Sequence, residues 1–205
     1  MIMPGSSENV QKFTKVEGRS RGFSARDLSL VASFAALIWV LGVPGAIDPV
    51  GSGVPITLQT LGVMLAGAVL GARRGAAASL VVIALCAIGL PVLAGGRGGL
   101  GVFVSPTVGF LVGWVPGAAV VGWFASRGPR SLVWQLVGCL VGGVGVIHAV
   151  GVPVMAWRAH LSVGQALLAD AVFVPGDVVK VVAAVGVAVA VHRAVPELLS
   201  VGGGK

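Results

Sequence analysis

Residues 102–126 read VFVSPTVGFLVGWVPGAAVVGWFAS, a run without a single Asp, Glu, Lys or Arg. A helix needs about 20 predominantly apolar residues to cross the hydrocarbon core of a bilayer, and this run is longer than that. The whole chain has the same character: 56% of its 205 residues are hydrophobic, 10% are charged, and mean hydropathy is +1.00. A soluble domain carries about 25% charged residues, so lipid is the expected solvent.

Working outward from this run, five further apolar stretches emerge at 28–46, 54–71, 75–92, 131–156 and 175–193. The expected architecture is an all-α integral membrane protein, a six-transmembrane-helix bundle forming one domain over 28–195. A polar, basic tail without periodicity precedes it at 1–27 and is expected to be disordered. A short tail follows at 196–205. The apolar run after the first tail is too long for a signal-peptide core, so it is expected to be retained.

Basic residues mark the side of the membrane, because positively charged loops stay in the cytoplasm. With the N-terminus inside, Lys12, Lys15, Arg19, Arg21, Arg26, Arg73, Arg74, Arg127, Arg130, Arg193 and Lys205 all fall inside. Only Arg97 and Arg158 fall outside, and Lys180 lies within a span. Both termini are therefore expected to be cytoplasmic in a multi-pass protein of the cell membrane. The net charge of +7 and pI near 10.8 are distributed over alternate loops, which points to the lipid bilayer and its anionic headgroups as partner, not to nucleic acid.

Catalytic patterns are missing from the sequence. There is no HExxH, GxSxG or Walker A motif, and His148, His160 and His192 are too scattered to read as a metal site. The expectation is a non-enzyme without metal or cofactor; any ATP-driven step belongs to another subunit. Cys86 and Cys139 read as small packing residues. Trp39, Trp123, Trp134 and Trp157 suit the membrane interfaces, and Trp114, deep in its span, reads as core packing with ligand stacking as the alternative.

Four features carry chemistry. Small residues at spacing four, Ala32 with Ala36 and Gly62 with Ala66, let another helix approach closely, inside the bundle or from a partner. The loop GLPVLAGGRGGLG at 89–101 is too irregular for a helix, and its glycines, Gly95 and Gly96 among them, would let backbone amides reach a ligand. Within it Arg97 suits an anionic group, or a lipid headgroup. In SPTVG at 105–109, Ser105 and Thr107 cap the next helix or contact a ligand.

The fourth feature is FVPGDVVKVVAAV at 173–185. Pro175 suits a first helical turn, which puts Asp177 near the positive end of the helix dipole and Lys180 on the same face one turn deeper. A charge at membrane depth costs at least ~2.5–3.5 kcal/mol on insertion scales, so such residues normally face a cavity. The pair offers an acceptor and a donor to a small polar ligand that presents both N–H and C=O. A mutual brace is the alternative.

The run VPITLQTLG at 54–62, then LAGAVLGARRG at 65–75, GLPVLAGGRGGLG, SPTVGF and PGDVVK occur in an order that resembles the BioY family, the biotin-specific S components of energy-coupling factor (ECF) transporters. The resemblance covers about residues 28–195. It implies a biotin-binding S component that captures the vitamin from outside and works with a transmembrane T component and a pair of cytoplasmic ABC ATPases. It further implies that Asp177 and Lys180 meet the ureido ring of biotin, that Gln59 of the PITLQT run belongs to the binding set, and that Ala32 and Ala36 carry docking to the partner. Ser105 and Val108 depart from the glycines that the family often has there. The other readings are an S component for another small vitamin and a structural or assembly membrane protein braced by Asp177 and Lys180.

Overall fold

A computed structural model describes residues 22–44 and 57–198. The expectations for the tail at 1–21, the end of the first span, the beginning of the second and residues 199–205 lie outside the described residues. Seven helices occur within them: α1 Ala25–Val40, α2 Gln59–Leu70, α3 Ala72–Ala87, α4 Val108–Ala125, α5 Leu132–Arg158, α6 Val163–Ala171 and α7 Val174–Ala194. Short 3-10 turns stand at Leu100–Val104 and Pro196–Leu198.

Three of these helices, α4, α5 and α7, are long and apolar enough to cross a membrane. α1 and α3, at 16 residues each, are shorter than the runs expected at 28–46 and 75–92. α2 has 12 residues, about 18 Å at 1.5 Å per residue against a hydrocarbon core of about 30 Å. α3 stops at Ala87, and Gly89 beyond it takes a φ of 102°. α4 begins at Val108, not at 102, because Ser105 precedes Pro106 and is held extended at ψ 157°. α6 was not foreseen, although Ser162 and Gln165 form a capping box at its start, with Gln165 N donating to Ser162 Oγ and Ser162 N to Gln165 Oε1.

Named contacts define two ends of the bundle. At one, Ser24 caps α1 through a box with Asp27, and Arg74 at the start of α3 pairs with Asp27 at 3.3 Å and donates to the carbonyl of Leu198. The Ser24 backbone N–H and then its hydroxyl hold the Asp27 carboxyl below the usual carboxylate range; Arg74 and Arg73 act the same way against the opposing effect of desolvation. Arg130 donates to the His192 carbonyl, and the buried His192 ring approaches the Ala68 carbonyl at 2.9 Å. The starts of α1, α3 and α5 therefore meet the ends of α2 and α7 here.

α4 lies against α2, α3 and α5. Gly109, Gly113 and Gly117 form the seam toward α5: a Cβ on Gly113 would stand 3.1 Å from Ile147 Cα, and one on Gly117 2.9 Å from the Gly142 carbonyl. The spacing-four pair Gly62 and Ala66 is likewise used inside the bundle, Gly62 against Ile38 of α1. Ala32 and Ala36 instead lie exposed on α1. The middle of α5, Cys139–Val146, is wound as a π-helix before the α form resumes at Ile147. Cys86 and Cys139 are free and fully buried, as packing residues should be.

Candidate functional site

A cavity opens at the end of the bundle away from the Arg74 clamp. Its walls are mostly apolar and aromatic: Phe110, Leu111 and Trp114 from α4, Ile147 from α5, Leu93 and Val102 from the connecting segment, and Phe173 before α7. Phe110 lies 6.5 Å from Phe173, ring centre to ring centre. Into these walls are set Thr57, Gln59, Thr60, Arg97, Thr107, His148, Asp177 and Lys180. Apolar walls with a few convergent polar groups are the usual make-up of a small-molecule site.

The charges in FVPGDVVKVVAAV converge as the spacing foretold. Pro175 stands in the first turn of α7, and Lys180 Nζ donates to Asp177 Oδ1 at 3.0 Å. Both side chains are buried, at 6% and 5% exposure. The second oxygen, Asp177 Oδ2, lies 3.1 Å from His148 Nε2 but off the alignment of a hydrogen bond, which leaves an acceptor position open at the cavity. Thr60 Oγ1, on the cavity wall, is also buried and without a hydrogen-bond partner. A ligand with paired donors and acceptors would satisfy these atoms, which otherwise carry the cost of an unmet buried polar group.

The glycine-rich loop is a small hairpin. Leu93 and Arg97 exchange two backbone hydrogen bonds of 3.0 and 3.2 Å, and Gly95 and Gly96 make the reversal at φ 75° and 70°, a region that favours glycine. Gly98 runs so close to the Leu90 carbonyl that no side chain fits there. Arg97 leaves this hairpin to line the cavity, its Nε donating to the Ala94 carbonyl. Gly95 and Gly96 are exposed at the tip and are not among the lining residues; their role is to aim Arg97.

Gln59 anchors the same hairpin. Its Nε2 donates to the carbonyls of Ile38 and Val92, and its Oε1 accepts from Ala94 N–H at 2.9 Å. One buried amide thus ties the end of α1, the start of α2 and the loop into a single wall. Ser105 donates to the Val102 carbonyl and shares a 2.9 Å hydrogen bond with Thr107; of the two, Thr107 reaches the cavity. Trp114 proves to be both core and lining.

His148 is the residue that sequence spacing missed. Set aside for its distance from other histidines, it lines the cavity with one ring nitrogen 2.8 Å from Asp170 and the other facing Asp177. The signal was present: an ionisable residue inside an apolar run is a site candidate by default. Thr60, the last residue of PITLQT and next to Gln59, is a second lining residue that the sequence reading does not single out.

The BioY family profile matches residues 12–197. The chain is 50% identical over 171 residues to the biotin transporter BioY of Rhizobium etli, covering 78% of this chain and 90% of that one. It is 50% identical over 175 residues to the biotin transporter BioY of Rhodobacter capsulatus, covering 77% and 88%. Among solved structures, the S-component for biotin from an ECF-type ABC transporter matches with a TM-score of 0.79 at 28% identity, over 84% of this chain and 95% of that one. Fold, motif order and sequence agree, and the chain is a member of the BioY family.

Proposed function

We propose that this chain is the biotin-binding S component of an ECF-type importer. The observation that carries this reading is the buried Asp177–Lys180 pair at the mouth of an aromatic cavity, with Asp177 Oδ2 left open. The ureido ring of biotin is neutral, donates through N–H and accepts at C=O. Asp177 takes the donor, Lys180 serves the carbonyl, and Thr60 supplies a further hydroxyl. The thiolane ring and side chain of biotin rest on Phe110, Trp114 and Phe173, and the carboxylate meets Arg97, whose guanidinium suits paired hydrogen bonds. Thr107, hydrogen-bonded to Ser105, adds a hydroxyl to the lining, and Gly95 and Gly96 turn the hairpin that carries Arg97.

The rest of the reading follows the family. Six spans cross the cell membrane with both termini in the cytoplasm. A T component docks on the exposed Ala32 and Ala36 face of α1, and an ABC ATPase pair supplies the energy, since the S component brings binding and not hydrolysis.

Titration of the purified chain with biotin tests the site. Asp177→Asn and Lys180→Ala are each expected to weaken binding by at least about a hundredfold, because each leaves a buried charge without its partner. Retained affinity in both, with folding intact, would refute the assignment. The 3.0 Å pair also favours a second reading, a structural brace. Exchanging the charges, Asp177→Lys with Lys180→Asp, preserves a brace and abolishes ureido recognition, so the two readings give opposite binding results.

A further inference from the structure

His148 is placed by three elements at once. It follows the π-wound middle of α5, its Nδ1 lies 2.8 Å from both carboxylate oxygens of Asp170 on α6, and its Nε2 lies 3.1 Å from Asp177 on α7. Phe110 of α4 stands edge-on to the ring at 5.6 Å. The imidazole is 16% exposed and Asp170 11%. A neutral imidazole turns a lone pair outward from one of its nitrogens, and here that lone pair would face a carboxylate. With a carboxylate beside each nitrogen, the imidazolium is the form both sides favour: Nδ1–H bonds to Asp170, and the positive ring stands 3.1 Å from Asp177 Oδ2 without taking up its acceptor position.

Asp170 does not line the cavity but backs His148, and with it counted the charges around the ring-binding end balance: the carboxylates of Asp170 and Asp177 stand against the cations of His148 and Lys180. The remaining ionisable lining residue, Arg97, belongs to the hairpin. Without His148, the pocket that receives the polar ring would carry a net negative charge and would favour a cation over a neutral ring.

We infer that His148, held between Asp170 and Asp177, is a specificity-determining residue that neutralises the ring-binding end of the cavity, so that a neutral N–H/C=O ring is accepted and a cationic ring of the same shape is refused. This inference rests on the biotin reading above. It adds a residue and a selection rule that the Asp177–Lys180 pair does not supply.

The test compares biotin with 2-iminobiotin, in which the ureido oxygen is replaced by a nitrogen and the ring becomes a guanidinium. Binding is measured on the full chain in detergent at neutral pH, where the analogue is a cation. In His148→Asn the preference for biotin over iminobiotin is expected to fall by at least about tenfold, since a repelling cation is lost beside the ring. The double variant His148→Asn with Asp170→Asn removes one charge of each sign and should restore the preference. A packing role alone lowers affinity for both ligands in proportion and leaves the ratio unchanged, which overturns the inference. His148→Gln repeats the measurement should the Asn variant fail to fold. If the unaltered chain binds no biotin, the biotin reading itself fails; if it binds biotin and the ratio does not move in His148→Asn, only the present inference fails.

Discussion

Gln59 has both amide hydrogens and its carbonyl engaged by backbone of α1 and of the hairpin, and this fixes its role as a strut in the cavity wall. Gln59→Leu keeps much of the volume but strands three buried backbone groups, each at about 1–3 kcal/mol. The expected result is a clear fall in thermal stability in detergent, with weaker biotin binding because the hairpin carrying Arg97 loses its anchor. Binding lost without any change in unfolding temperature would mean that Gln59 acts on the ligand directly. At this scale the sequence could nominate residues but not their partners. Asp177 and Lys180 are three positions apart on one helix, so their pairing could be read from spacing alone. His148 and Asp170 are separated by 22 positions and two turns of chain, and only folding brings them to 2.8 Å.

The elements show a similar division. The α4–α5 seam depends on the absence of side chains at Gly109, Gly113 and Gly117, and Gly117 faces Ile147, the residue before His148. Gly117→Leu is expected to cost about 1–3 kcal/mol through overpacking and, by moving α5, to weaken biotin binding as well. Val112→Ala, on the exposed side of α4, should change neither. Thermal unfolding and biotin titration on the two variants check both halves of this expectation. Apolar run lengths located α4, α5 and α7 to within a few residues at most edges, because long uncharged runs leave few other choices in lipid. They overran the start of α4, where the local backbone chemistry of Ser105-Pro106 overrides hydropathy. The nine residues of α6 carry too mixed a composition to stand out, with outward Leu167 and Leu168 opposite an inward Asp170.

Across the whole molecule, polar interactions concentrate at the two ends and leave the flanks to lipid. Arg74, Asp27, Arg130 and His192 fasten one end, while the cavity and its charges occupy the other. Exposed Val112, Val133, Val178, Val179 and Val182 lie on the apolar flanks of α4, α5 and α7. The Ala32 and Ala36 face of α1 takes no part in the cavity. Ala32→Leu with Ala36→Leu is therefore expected to leave biotin affinity within about twofold of the parent, as exposed substitutions usually do, while copurification of a T component is lost. Loss of both together would place the docking face and the cavity in one coupled unit.

The π-wound stretch of α5 has a consequence for the tolerance of this chain to change in length. A π turn carries one residue more than the α turn it replaces, so the helix on either side keeps its direction although the chain between is longer. Loss of a single residue within Cys139–Val146 would let the helix close into the α form with His148 still facing Asp177. The same loss in the regular parts of α5, Leu132–Gly138 or Ile147–Arg158, would turn one half of the helix against the other by about 100°. Relatives that differ in length along this helix are thus expected to place their gap in the π stretch, where a deletion leaves the cavity standing.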